Sequence, residues 1–175
     1  MADGRRTPPA RDPQGGPRAS SVGASGLQSD GEWGVSARPP YRVSVPVRWG
    51  DMDCLGHVNN ARFFTYDEDA RLGFFTQLMA DDPRFWKDYG LILAHIGCDF
   101  LAQLHAPNEL DVHYGVSRIG GKSFETRALM HAGGVPVART RAVVVWFDYR
   151  ENATLSIPDG VRAKLQPYLL PEASR

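Results

Sequence analysis

The first regular pattern of apolar and polar positions along the chain is YRVSVPVRW, residues 41–49, which alternates as a half-buried strand does. Pro46 has no N–H to offer a ladder, so this strand belongs at a sheet edge or a bulge. Past residue 60 the period changes. Phe63, Tyr66, Ala70, Phe74 and Leu78 recur at steps of three and four, which places them along one face of a helix of about five turns. That helix is predicted to end near Ala80, before Pro83. Asp67, Glu68 and Arg71 fall off the stripe, where Arg71 can pair with either acid.

Period two then returns. In LILAHIGCDFLA the positions Ile92, Ala94, Ile96, Cys98 and Phe100 share a face, and in ELDVHYGVSRI the set is Leu110, Val112, Tyr114 and Val116. Gly120 and Gly121 supply a tight hairpin, after which Phe124, Thr126, Ala128 and Met130 resume the alternation; Gly133 and Gly134 mark the next turn. The last strand is apolar on both faces from Ala142 to Phe147, the texture of a central strand covered on two sides. A short helix is expected after Pro158. One long helix followed by an antiparallel meander buries its stripe against the sheet's apolar face, an α+β layer of about five strands wrapped round the helix. The doubly apolar last strand implies that another subunit covers further surface.

Composition narrows the class. Residues 1–39 are rich in Gly, Pro, Ser and Arg and too poor in large apolar side chains to offset the entropy of ordering, so a disordered tail is expected ahead of one domain over residues 40–170. Twenty basic and twenty acidic side chains cancel, which gives no overall field towards nucleic acid. Two cysteines, Cys54 and Cys98, are too few for a disulfide framework in 175 residues and favour a reducing compartment. No apolar run reaches the roughly 18–20 residues of a membrane span, so the expectation is a cytoplasmic protein.

The chemistry concentrates in RWGDMDCLGHVNNARFF, residues 48–64, where two aspartates, a histidine and two asparagines crowd the start of the helix. Gly50-Asp51-Met52-Asp53, then Gly56-His57-Val58-Asn59-Asn60, then Tyr66, Glu68, Ala70 and Arg71 resemble the strand–loop–helix signature of the hotdog-fold acyl-CoA thioesterases typified by 4-hydroxybenzoyl-CoA thioesterase. The likeness covers about residues 41–168. A second stretch, Val116 to Phe124, is similar to the hairpin that holds the nucleotide end of coenzyme A in that family. The resemblance implies that Asp53 is the catalytic carboxylate, acting as nucleophile through an anhydride or as general base on a water. Backbone N–H groups at Gly56 to Asn60 would then polarise the thioester carbonyl. HVNN also resembles plant acyl-ACP thioesterases, whose corresponding histidine is catalytic, which makes His57 the second catalytic candidate; Leu55 stands where those enzymes carry asparagine.

The resemblance places Gly56, Val58, Asn59, Asn60 and, from a partner subunit, Glu68 at the substrate, and Arg118, Gly120, Lys122 and Ser123 at the phosphates of coenzyme A. Asp51 is read as structural support, with Asn59 and Asn60 as helix caps. Cys54 lacks a His-Asn pattern and is read as a small hydrophobe, and His95-x-x-Cys98 puts its side chains on opposite faces of a strand, so no metal is expected. The expected protein is a homodimeric or homotetrameric hydrolase of acyl-CoA or acyl carrier protein thioesters. It needs no cofactor, since coenzyme A is part of the substrate. A non-catalytic acyl-CoA-binding protein and an enoyl-thioester hydratase on the same fold are the alternatives.

Overall fold

The computed structural model describes residues 41–106 and 108–171. The expected N-terminal tail lies outside them. Strand β1 (Tyr41–Val47) leads through a 3₁₀ turn at Trp49–Asp51 and a loop to α1 (Asn60–Leu78). Four strands follow: β2 (Tyr89–Phe100), β3 (Asn108–Ile119), β4 (Ser123–Ala132) and β5 (Val135–Asp148). The two-residue β6 (Ala153–Thr154) and the short α2 (Asp159–Leu165) close the chain. The sheet runs β1-β3-β4-β5-β2, every pair antiparallel, with β6 on β5. Pro46 sits on the edge strand β1, the sheet position expected for a residue without an N–H.

The sheet's inner face packs on α1. Leu110, Val112, Tyr114 and Val116 of β3 and Phe124, Thr126, Ala128 and Met130 of β4 are all buried, as their alternation requires. They meet Phe63, Tyr66, Ala70, Phe74 and Phe75 of the helix, with Phe74 against Tyr114 at 5.5 Å between ring centroids and Phe75 against Phe124 at 5.2 Å. Gly73 allows β1 to close over the helix: a Cβ there would lie 2.9 Å from the Tyr41 hydroxyl. Leu78, read as the end of the stripe, is only half-buried, whereas Phe75 is fully buried.

Two expectations need correction. Asp67 and Arg71 are not off the buried face: they are 1% and 6% exposed. The sheet curves around more of the helix than a single stripe, and the pair is tolerated because its charges are met internally. Arg71 Nη1 donates to Asp67 Oδ2 at 2.5 Å, and the hydroxyl of Thr140 on β5 donates to the other carboxylate oxygen. Glu68 is the weaker partner, 3.8 Å from Arg71. Ile92 also leaves the face assigned to it. A bulge between Leu93 and His95 inserts a residue, so Ile92 pairs with outward Val145 while Ile96 pairs with inward Ala142.

Burial pushes the Asp67 carboxyl above the usual aspartate range, outweighing the Thr140 hydrogen bond and Arg71. A raised native value means the native state holds this proton more tightly than the unfolded chain. Its contribution is therefore complete below the unfolded aspartate pKa and lost as pH rises through the native one. Relative to Asp67→Asn, the wild type is expected to lose stability as pH climbs from about 4, measured by urea unfolding across pH. Arg71→Met, which strands the carboxylate, is expected to cost about 3–5 kcal/mol at neutral pH in the same measurement.

Candidate active site

The loop between β1 and α1 is shaped by two aspartates with different jobs. Asp51 is buried and fully occupied: its Oδ2 accepts from the Arg48 N–H and the Tyr66 hydroxyl, each at 2.9 Å, and its Oδ1 lies 3.4 Å from Arg62 Nε. Burial and the Asp51 carboxylate push the Tyr66 phenol well up, so it stays a donor. The Asp51 carbonyl accepts from the Asn59 N–H at 2.9 Å, fastening the residue that begins the helix. Asn59 is the cap, its side chain accepting from the Ala61 N–H at 2.9 Å. Asp51 thus has the supporting role its sequence position suggested.

Asp53 is half-exposed and commits one oxygen, Oδ1, to the Leu55 N–H at 2.8 Å in a local turn. Its other oxygen has no partner among the described residues. The turn closes as Asp53 N–H donates to the His57 carbonyl and Gly56 N–H to the Asp53 carbonyl, at 2.8 and 3.1 Å. Gly56 takes φ +84°, a conformation that favours glycine.

A cavity of about 450 Å³ opens beside this turn, lined by Asp53, His57, Val58, Asn60, Phe63 and the segment Phe100 to Leu104. Phe63 and Phe100, edge to face at 5.4 Å, form its aromatic wall. The expected row of carbonyl-polarising amides is shorter than the sequence suggested. The N–H groups of Gly56, Val58 and Asn59 are spent on the Asp53, Leu104 and Asp51 carbonyls. Among the described residues, those of His57 and Asn60 have no acceptor, and both residues line the cavity. Asn60 stands at the first position of α1, where the helix dipole adds positive potential.

The segment after β2 was not anticipated. Its lack of periodicity hides it, yet it walls the cavity and stitches the loop: Val58 N–H donates to the Leu104 carbonyl at 2.8 Å, and His105 Nδ1 lies 2.9 Å from the Gly56 carbonyl oxygen. The ring of His105 also meets that of His57, 5.0 Å between centroids.

Other expected site residues lie elsewhere. Gly56 and Asn59 shape the loop without lining the cavity, and Glu68, with its side chain 56% exposed, pairs with Arg71. Arg118, Gly120 and Ser123 line a separate hollow of about 290 Å³, with Lys122 exposed beside it. Phe100 pairs with Ala138 of β5 and Ser123 with Val145, so this hairpin sits seven residues, roughly 23 Å, along the sheet from the Asp53 end. Arg162 of α2 holds the hairpin, donating to the Gly120 and Gly121 carbonyls at 2.6 and 3.1 Å. Arg118 lies 3.4 Å from Glu125.

Cys98 is half-buried, and burial together with Asp99 and Asp67 pushes its thiol up to about 11, away from reactivity. His95 pairs with outward Val143 and Cys98 with inward Thr140, on opposite faces as expected. Among the described residues no group of three or more His, Cys, Asp or Glu side chains is placed to hold a metal ion, and no helix is long and apolar enough to cross a membrane.

Comparison with known proteins bears on this geometry. The uncharacterized protein YsmA of Bacillus subtilis (strain 168) is 32% identical over 92 residues, 53% of this chain, and the match spans 60% of that curated relative's length. Among solved structures, a predicted thioesterase from Bacillus stearothermophilus is 26% identical with a TM-score of 0.67, over 74% of this chain and 96% of that one. A thioesterase complexed with coenzyme A and Zn from Thermus thermophilus is 30% identical with a TM-score of 0.64, over 73% and 92%. The family model of the thioesterase-like superfamily matches residues 47–165, from the end of β1 through α2. The chain belongs to the thioesterase-like superfamily.

Proposed function

We propose that the protein hydrolyses an acyl-CoA thioester to the free acid and coenzyme A. The observation that carries this reading is the convergence of Asp53, His57 and Asn60 on one cavity with an apolar, partly aromatic wall. Asp53 brings a carboxylate oxygen with no competing partner among the described residues. The His57 and Asn60 N–H groups are the donors left over for the oxygen that becomes negative as the carbonyl is attacked. Phe63, Phe100, Leu101 and Leu104 offer the acyl group apolar surface. Asp53 serves either as general base on a water that attacks the thioester carbonyl or as nucleophile forming an anhydride that water then hydrolyses. In both cases the C–S bond breaks, the thiolate leaves as coenzyme A, and water supplies the oxygen of the free acid. The His57 imidazole, at the cavity rim, is the nearby group able to pass it a proton.

The likeness to a coenzyme A-bound thioesterase supports coenzyme A as the thiol portion. The hairpin and Asp53 lie at opposite ends of one sheet, an arrangement that a second copy pairing in the opposite sense would bring together. Among the described residues β2 has no strand on its outer side, and Ile92, Leu93 and Phe100 on it and Leu101 just after it are 41–49% exposed. Antiparallel pairing of two such edges brings the partner's hairpin end level with this protomer's Asp53. Arg118, Lys122 and Ser123 then meet the phosphates of a substrate held in the other protomer's cavity. We therefore read the functional unit as a homo-oligomer built on this edge.

Assayed for thiol release over a panel of acyl-CoA esters, Asp53→Asn is expected to lose about 10²–10⁴-fold in kcat/KM with its fold intact; an undiminished rate would remove Asp53 from the chemistry. Arg118→Ala and Lys122→Ala are expected to raise KM severalfold for acyl-CoA, with less change for the same acyl group on a short thiol lacking phosphates. Equal effects on both substrates would refute the phosphate contact.

A further inference from the structure

His105 is exposed and lies outside the cavity, and nothing in the proposed chemistry uses it. Its Nδ1 is 2.9 Å from the Gly56 carbonyl oxygen. A carbonyl only accepts, so in this contact Nδ1 carries the proton and the imidazole donates. The flanking residues grip the same loop: the Leu104 carbonyl accepts from Val58 N–H at 2.8 Å, and Ala106 N–H reaches Met52 Sδ at 3.2 Å. Those two contacts tie this segment to the loop on either side of His105. The His105 contact does something the others do not.

The Gly56 carbonyl and the His57 N–H belong to one planar trans peptide and point in opposite directions. Fixing the oxygen fixes the hydrogen. Gly56, at φ +84° and without a side chain, precedes the peptide plane in this loop that sterics restrain least. A donor on its carbonyl also draws electron density through the peptide, strengthening the N–H on the other side. Of the two amides left without an acceptor at the cavity, the one on His57 is thus held from behind by a side chain, whereas the one on Asn60 is held by the helix.

Resting on the thioesterase reading above, we propose that His105 is a positioning residue that aims and polarises the His57 N–H as an oxyanion donor, without touching substrate. The test compares the wild type with His105→Phe, which keeps a ring against His57 but no donor, and with His105→Asn, whose amide N–H₂ takes the place of Nδ1–H. Thiol release from an acyl-CoA and the melting temperature are measured for each. His105→Phe is expected to lower kcat roughly tenfold, short of the about 10²–10³ that outright loss of an oxyanion donor costs. KM should stay unchanged, because the interaction strengthens only in the transition state. His105→Asn should recover most of kcat.

A wild-type kcat in His105→Phe, or a His105→Asn enzyme as slow as His105→Phe, overturns the proposal. Were His105→Phe to lose its fold, His105→Ala against His105→Asn makes the same comparison. A wild type that releases no thiol from the panel sinks the thioesterase reading and this one together, whereas an active wild type indifferent to residue 105 sinks only the positioning role.

Discussion

The packing of α1 into the curve of the sheet is the contact from which the rest of the structure follows. Phe74 and Phe75 are fully buried between Tyr114 and Phe124, and fully burying such a side chain is worth about 1.5–3 kcal/mol. Once they are seated, the helix has no freedom to slide, and its first turn is held at the end of the sheet where β2 finishes. That is why Asn60 and Phe63 face Phe100 to Leu104 across a cavity rather than across solvent. The same wrapping forces Asp67 and Arg71 inside. Their pairing with each other and with Thr140 makes that burial tolerable, and it ties the helix to strand β5 by a polar contact that only one register satisfies.

Position alone does not make a reaction site; the loop before the helix also needs donors to spare. Its backbone is nearly saturated. Amides at Asp53, Leu55, Gly56, Val58 and Asn59 are all engaged within the loop or with Asp51 and Leu104, which makes the turn rigid. Rigidity of this kind leaves the two cavity-lining amides without an acceptor among the described residues, at His57 and Asn60, fixed in direction before any ligand arrives. Preorganised dipoles of that sort need no reorganisation when charge develops, which is where an oxyanion site draws its advantage over water. The two aspartates divide accordingly: Asp51 is saturated by Tyr66, Arg48 and Arg62, while Asp53 keeps an oxygen free of any partner among the described residues.

What the sequence made legible follows the same physics. Strand alternation in β3 and β4 was readable because both strands have one face wholly on the helix, so the inward positions from Leu110 to Val116 and from Phe124 to Met130 are buried without exception. Ile92 was misplaced because a bulge changes the phase of alternation without leaving a compositional mark. Asp67 and Arg71 were misplaced because charge normally marks the solvent face, and only a partner from a distant strand, Thr140, makes their burial tolerable. The Asp53 loop was legible from motif and helix-start chemistry, but which amides remain unengaged depends on Leu104 and Asp51 as acceptors, a long-range fact that no local pattern encodes. His105 was invisible for the same reason, its partner Gly56 lying 49 residues away in the chain.

The distribution of features over the sheet argues that one protomer is an incomplete machine on the proposed reading. The carboxylate and amides sit at one end, the Arg118–Ser123 hairpin at the other, and the boundary strand β2 has no strand on its outer side among the described residues, with apolar side chains left half in water. An exposed edge of this length invites pairing; β2 has neither proline nor lysine against it, and its one interruption is the bulge between Leu93 and His95, which leaves His95–Phe100 regular. Antiparallel pairing of identical edges is two-fold by construction, so each end of one sheet meets the opposite end of the other. On the proposed reading, the symmetry that would cover the edge is also the operation that would carry the Arg118–Ser123 hairpin to Asp53, so one contact would serve both stability and substrate reach.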